Sequence, residues 1–226
     1  MNFAEVMQAL EQAGTAQTRK TYMRHGVQGE LFGVLTSDLK ALQKKIKQDH
    51  ALAVQLWESG NYDARTLATM IIDPAQITEE QIDCWLSALN NYADTDYLAG
   101  VVAQTKFIMP KMLEWTAADG EWIETAGWGL LNHLALNDMT LPDSFFDPYL
   151  QRVENEIHTA KNRVRYNMNN FLICVGARNE TLRARVEALA RQIGKVYVDH
   201  GQTDCKTPEI IPYLERMYAR KEKKKA

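Results

Sequence analysis

The chain has 226 residues, enough for one domain with a sizeable core or for two small ones. Hydrophobic residues make up 46% and charged residues 24%, which excludes intrinsic disorder and collagen-like repeats, and no run nears the roughly 18 apolar residues of a membrane-crossing helix. With a net charge of −3 the chain is not basic throughout, as a bulk counter-charge protein for nucleic acid would be.

The N-terminal stretch MNFAEVMQALEQAG carries acids in a helical pattern, unlike the basic-then-apolar layout of a secretory leader. The three cysteines (Cys84, Cys174, Cys205) are odd in number and far apart, so reduced thiols and a cytoplasmic setting are expected, with no disulfide framework. Leu39, Leu42 and Ile46 form one helical stripe, with Ser37 as the expected N-cap. A break at Ser59-Gly60 precedes Ala64, Leu67, Ala68 and Ile71, again at helical spacing, and Asp73-Pro74 stops that helix. Thr78 with Gln81 predicts a capping box for the next helix. Further stripes follow at Ala126, Leu130, Leu131, Leu134; at Val164, Met168, Phe171, Leu172, Val175, closed by Gly176; and at Val186, Leu189, Ala190, Ile193, closed by Gly194. Val196-Tyr197-Val198 is too short to build a sheet. The class read from this pattern is all-α.

Charge is unevenly distributed along the chain. Residues 18–47 carry +5, residues 48–160 carry −14, residues 161–195 carry +6, and the tail 216–226 has six basic residues and one acid. Solvated helix faces explain any one such segment. A basic face forms if 18–47 and 161–195 meet in space around a lone acid. Helices restart near Asn61, Ala93, Glu121 and Asn162, at steps of about thirty to forty residues, near the length of a helix-pair repeat. An α-α superhelix of stacked pairs is the architecture expected, as a single domain over 1–226, with second helices at 61–72, 93–105, 121–136 and 162–175.

Five segments in order carry a resemblance: Tyr22 with Phe32-Gly33-Val34 and the basic helix after it, LWESGNYDARTLATMI, NNYADTDYLAG, DGEWIETAGWGLL, and NRVRYNMNNFLICVG. Together they resemble the HEAT-like-repeat DNA alkylation repair family, whose best-known members are alkylpurine DNA glycosylases. The tail VDHGQTDCKTPEIIPYLE is similar to an extension found in a large branch of that family. The resemblance implies a HEAT-like helical solenoid that acts on double-stranded DNA, alkylated or distorted, with no cofactor or metal called for; no membrane is expected, and the sequence leaves the oligomeric state open, a monomer being the expectation.

Alkylation at purine N3 or N7 makes the base cationic and weakens its glycosidic bond, so excision needs little more than a carboxylate near the sugar. That carboxylate stabilises the developing oxocarbenium charge and orients a water. Aromatic rings hold the cationic lesion at about 0.5–2 kcal/mol each, and Arg or Lys hold the flanking phosphates. In the family the catalytic aspartate follows an aromatic by four residues. Tyr92 and Asp96 fit that spacing, with Tyr in place of Trp, and Asp94 is a rival two positions away. The family's phosphate-gripping arginine, three residues after a tryptophan, falls at Thr125 after Trp122, and its lesion-side tryptophan falls at Asn169 or Asn170. Lys161, Arg163, Arg165, Tyr22, Arg24 and Lys44 are the remaining expected DNA contacts. Arg163 and Arg165 open a helix, where acids suit the dipole better, so phosphate contact or ion pairs to the acidic middle both account for them. Trp57, Trp85, Trp115, Trp122 and Trp128 sit mostly on apolar faces and read as core rather than lesion contacts. His200 and Cys205 lie in a turn, without the further Cys or His of a metal site.

Three readings stand: a monofunctional glycosylase of cationic alkylpurines with Asp96 at its centre, a non-catalytic binder of distorted or branched DNA, and a protein-binding helical scaffold whose acidic middle is the working surface.

Overall fold

The structure, a computed structural model, describes residues 1–225; of the expected basic tail, Ala226 lies outside them. Every regular element is helical, and no strand occurs among the described residues, Val196–Val198 included. The described chain divides into two compact units, one built by residues 1–109 with 201–203, the other by 110–200 with 204–225.

The first unit holds α1 (Phe3–Ala13), α2 (Ala16–Arg24), α3 (Thr36–Ile46), α4 (His50–Glu58), α5 (Tyr62–Ile71), α6 (Glu79–Ser87) and α7 (Tyr92–Val102); the division falls inside α8 (Ile108–Thr116). The second holds α9 (Glu121–Asn137), a 3-10 turn at Asp143–Phe146, α10 (Asp147–Glu156), α11 (Asn162–Gly176), α12 (Glu180–Ile193) and α13 (Ile210–Lys225). The four second helices read from the sequence coincide with α5, α7, α9 and α11 to within a few residues.

Side-chain caps set most starts. Thr78 and Gln81 form the reciprocal box anticipated from their spacing, and Asn61, Asn91 and Asn179 each accept a first-turn backbone N–H. Ser37 is not a cap. It lies one residue inside α3, whose start at Leu35 has no side-chain cap. Hydrophobic periodicity located the helix, but the chain enters it from the extended Val34-Leu35 backbone.

The first core is aliphatic, with Leu10, Leu39, Leu56, Leu67, Ile71, Ile82 and Leu98 sealed from solvent, each worth about 1.5–3 kcal/mol in burial. Trp57 and Trp85 stack beside them at 4.2 Å between ring centroids and 6° between planes. The second core is aromatic: Trp128 meets Phe171 edge-on at 5.4 Å, and Trp115 and Phe146 are fully buried. Of the five tryptophans read as core, Trp57, Trp85, Trp115 and Trp128 are buried and Trp122 is half-buried.

Gly33 ties the unit-1 entry loop to α2. Its φ of +81° favours glycine, its carbonyl accepts from Thr15 N–H at 3.0 Å, and a Cβ there would sit 2.5 Å from the Arg19 nitrogen.

Candidate nucleic-acid interface

In the first unit, the loop before α3 and the starts of α5 and α7 converge on carboxylates. Asp63, in the first turn of α5, is fully buried and accepts three backbone N–H bonds, from Phe32 at 2.6 Å and from Gly33 and Val34 at 2.9 Å. Its charge is spent holding the entry loop.

Asp94, in the first turn of α7, is also buried, at 3% exposure. Its Oδ2 accepts from the Asn91 side chain at 2.9 Å, while Asn91 Oδ1 accepts the Asp94 N–H at 3.0 Å. Oδ1 of Asp94 has no hydrogen-bond partner among the described residues. Burial raises its pKa to about 6, against the lowering influence of the Asn91 bond and the Arg65 charge. Burial likewise raises the phenols of Tyr62 and Tyr97 around it, with Asp94 adding to both shifts. Asp96, two residues on, is exposed. The pair that spacing could not separate is separated by helical phase: Asp94 faces the core and Asp96 faces solvent, one turn beyond Tyr92.

Tyr92 is half-buried, and its hydroxyl shares a 2.6 Å hydrogen bond with His25 Nδ1, their rings meeting edge-on at 6.3 Å. His25 caps α2 directly after the exposed Arg24. Tyr22 is half-buried, donates to the Val34 carbonyl at 2.7 Å and packs edge-on against Tyr62 at 5.2 Å. The structure therefore brings Tyr92, Asp96, His25 and Arg24 to one region of the first unit and assigns Tyr22 a loop-holding bond.

The basic residues of 18–47 are exposed, and Arg19, Lys20, Lys40, Lys44, Lys45 and Lys47 have no ion-pair partner among the described residues. Segment 161–195, in the second unit, is different. Lys161 binds the Asp119 carboxylate at 2.7 Å and carbonyl at 2.6 Å and lies 3.7 Å from Glu124, and these partners raise its pKa. Arg165 donates to the Tyr197 and Ala160 carbonyls, both at 2.8 Å. Arg178 clamps the carbonyls of Ala135, Asp138 and Leu141. Arg183 and Arg191 pair with Glu187, and Arg185 with Asp147. Arg163 is half-buried, and its backbone N–H donates to Glu121 at 2.8 Å. Lys161 and Arg185 thus pair with acids of the middle segment, Asp119 and Asp147, while Arg165 is held by backbone carbonyls.

Trp122 is half-buried in the first turn of α9, and Thr125 beyond it is 2% exposed. Asn169 is 1% exposed and donates to the Pro208 carbonyl at 3.0 Å, which ties down the segment before α13; Asn170 is half-buried. Nearby, Asn167 donates to the Thr125 carbonyl at 2.8 Å. His200 bonds Thr207 at 3.0 Å and meets Tyr166 edge-on. Cys84 and Cys205 are exposed, whereas burial pushes the Cys174 thiol up to about 12. Sequence reasoning missed the three-amide role of Asp63 and the His25–Tyr92 bond. The repeated Asn-Tyr pair at 61–62 and 91–92 is the signal that could have found the two buried acids.

A family model described as DNA alkylation repair enzyme matches residues 4–200. The chain belongs to the DNA alkylation repair family. It is 33% identical over 216 residues to an uncharacterized protein of Listeria monocytogenes and 31% identical to one of Listeria innocua, with 93% of each chain covered in both cases. A solved structure from a new family of proteins related to the HEAT-like repeat DNA glycosylases, with affinity for branched DNA structures, superposes with a TM-score of 0.85. It is 30% identical, and the match covers 99% of this chain and 95% of that one. The fold is thus that of the HEAT-like repeat glycosylase relatives, as the resemblance implied.

Proposed function

We propose that this member of the DNA alkylation repair family binds branched or distorted DNA and does not excise bases. One observation carries the reading. The position that should hold a phosphate-gripping arginine holds the buried Thr125, and the lesion-stacking tryptophan falls at Asn169, buried and committed to the Pro208 carbonyl, or at the half-buried Asn170. A threonine hydroxyl offers no cation, and an asparagine amide cannot hold a charged purine as an indole can. Asp96 is exposed and carries a carboxylate, but the groups that would place an alkylated nucleotide against it are missing. The affinity of the related solved protein for branched DNA supports the same reading.

A second reading, excision of cationic alkylpurines, is favoured by the four-residue spacing that places the half-buried Tyr92 and the exposed Asp96 one turn apart on α7. Two assays on the purified protein separate them. Fluorescence anisotropy on a four-way junction and on a linear duplex of the same sequence, over a range of salt, should show preference for the junction and a steep fall with salt. Methylated DNA should release no 3-methyladenine or 7-methylguanine. Release that disappears in Asp96→Asn would establish the enzyme; DNA affinity that is absent or insensitive to salt would leave a protein-binding scaffold.

A further inference from the structure

We infer that the cleft at the end of α3 is the seat for a backbone phosphate of the bound DNA, with Lys44 and Lys47 as its cations. The inference rests on the DNA-binding reading and gives that reading a location. The cleft has a volume of about 590 Å³ and lies between the end of α3, the end of α5 and Gln104. Among the described residues its polar lining is Gln43, Lys44, Lys47, Gln48, Thr69 and Gln104, two cations with neutral amides and a hydroxyl and without a carboxylate. Two other clefts of like size are different: one is lined by Asp147 and Glu154, the other by Glu79 and Glu80. A groove of ammonium, amide and hydroxyl groups without an acid suits an anion of several oxygens.

Lys47 supplies the independent observation. Among the described residues seven have φ in the left-handed range; six are glycines and the seventh is Lys47, at φ +67° and ψ −117°. Its N–H closes α3 on the Gln43 carbonyl at 2.7 Å, and the chain then reverses into α4 through Asp49. Nothing in the backbone asks for a side chain there. α12 ends on the same kind of residue, and there the position is Gly194, at φ +74°. A lysine held in a glycine conformation is strain, and strain kept at a cleft marks use of the side chain. Gln43 donates to the Met70 carbonyl at 2.9 Å, which fixes one wall of the cleft. Cations in the last turn also suit the α3 dipole, but that accounts for Lys44 and Lys45 and gives no reason for a side chain at the strained position.

The test is Lys47→Gly, with Lys44→Gln and Lys47→Arg beside it, in the full chain, using a four-way DNA junction as probe. Lys47→Gly relieves the backbone and should raise Tm by about 2–4 °C. It should also weaken junction binding about fivefold and lower the salt slope by about one. Lys44→Gln should do the same to binding, and Lys47→Arg should retain it. If wild type binds the junction and Lys47→Gly and Lys44→Gln bind it equally well with the same salt slope, the phosphate lies elsewhere. If wild type does not bind the junction at all, the DNA-binding reading itself fails.

Discussion

Replacing Asp94 with asparagine should make this protein more stable at neutral pH. The carboxyl is 3% exposed, only one of its oxygens is bonded, and its pKa is lifted by burial from 3.8 to about 6. The folded state therefore holds a proton on Asp94 that the unfolded chain has released between pH 4 and 6. Where the native state binds more protons, stability falls as pH rises. Its full contribution is present below the unfolded value, is lost up to the folded one, and stays lost above it. At about 1.36 kcal/mol per pKa unit the loss is roughly 3 kcal/mol. The substituted amide would keep the bond from the Asn91 side chain and bury no charge. Urea unfolding of wild type and Asp94→Asn should give equal stability near pH 4, with the variant gaining as pH rises and levelling off above 6 at up to about 3 kcal/mol. That corresponds to about 6–12 °C in Tm at pH 7.5. Taking the difference between the two proteins cancels other carboxylates, such as Asp73 and Asp138, whose lowered pKa values act in the opposite sense. A variant less stable than wild type at pH 7.5, with a flat difference curve, would mean that the folded protein holds Asp94 ionised and that Arg65 compensates it.

Asp63→Ala removes the acceptor of three backbone N–H groups, and the buried amides of Gly33 and Val34 are left without it. A loss of about 3–5 kcal/mol in urea unfolding is expected, and less than 1 kcal/mol would show that the loop holds itself. Arg165→Ala removes the donor to the Tyr197 and Ala160 carbonyls and should lower stability by about 1–3 kcal/mol. It should leave the salt slope of junction binding unchanged; a slope reduced by about one would return Arg165 to the phosphate-contact account.

The helices were legible because their evidence is local. Apolar spacing and first-turn caps such as Thr78-Gln81 depend on neighbours three or four residues away, and α5, α7, α9 and α11 start where the sequence restarts. The site was less legible because its decisive facts are long-range. The spacing of four marked Tyr92 and Asp96, yet only the packing of α7 shows that Asp94 is the acid turned inward. The charge count of 161–195 gave +6 but could not show that Lys161 reaches Asp119, forty-two residues away, or that Arg165 reaches the carbonyl of Tyr197. Lys47 was one basic residue among seven in its segment; its importance lies in a φ value that no composition records.

Three of the second helices begin with a buried acid in the first turn, and their partners sort them by role. Asp63 is filled by three amides. Glu124 receives Arg152 at 2.7 Å and lies near Lys161. Both are the anionic half of a structural contact, in a position the helix dipole already favours. Asp94 has one amide bond, from Asn91, and an oxygen with none. A fold that fills this position twice and leaves it half-filled once tolerates the destabilisation there, and carboxyls of that kind concentrate at working sites. The unfilled acid lies in the unit whose surface cations are also uncommitted, while the cations of 161–195 are largely held by carboxylates and carbonyls. Charge available to a phosphate backbone is thus concentrated on α2 and α3, and DNA binding should respond to substitutions there before it responds to any in α11 or α12.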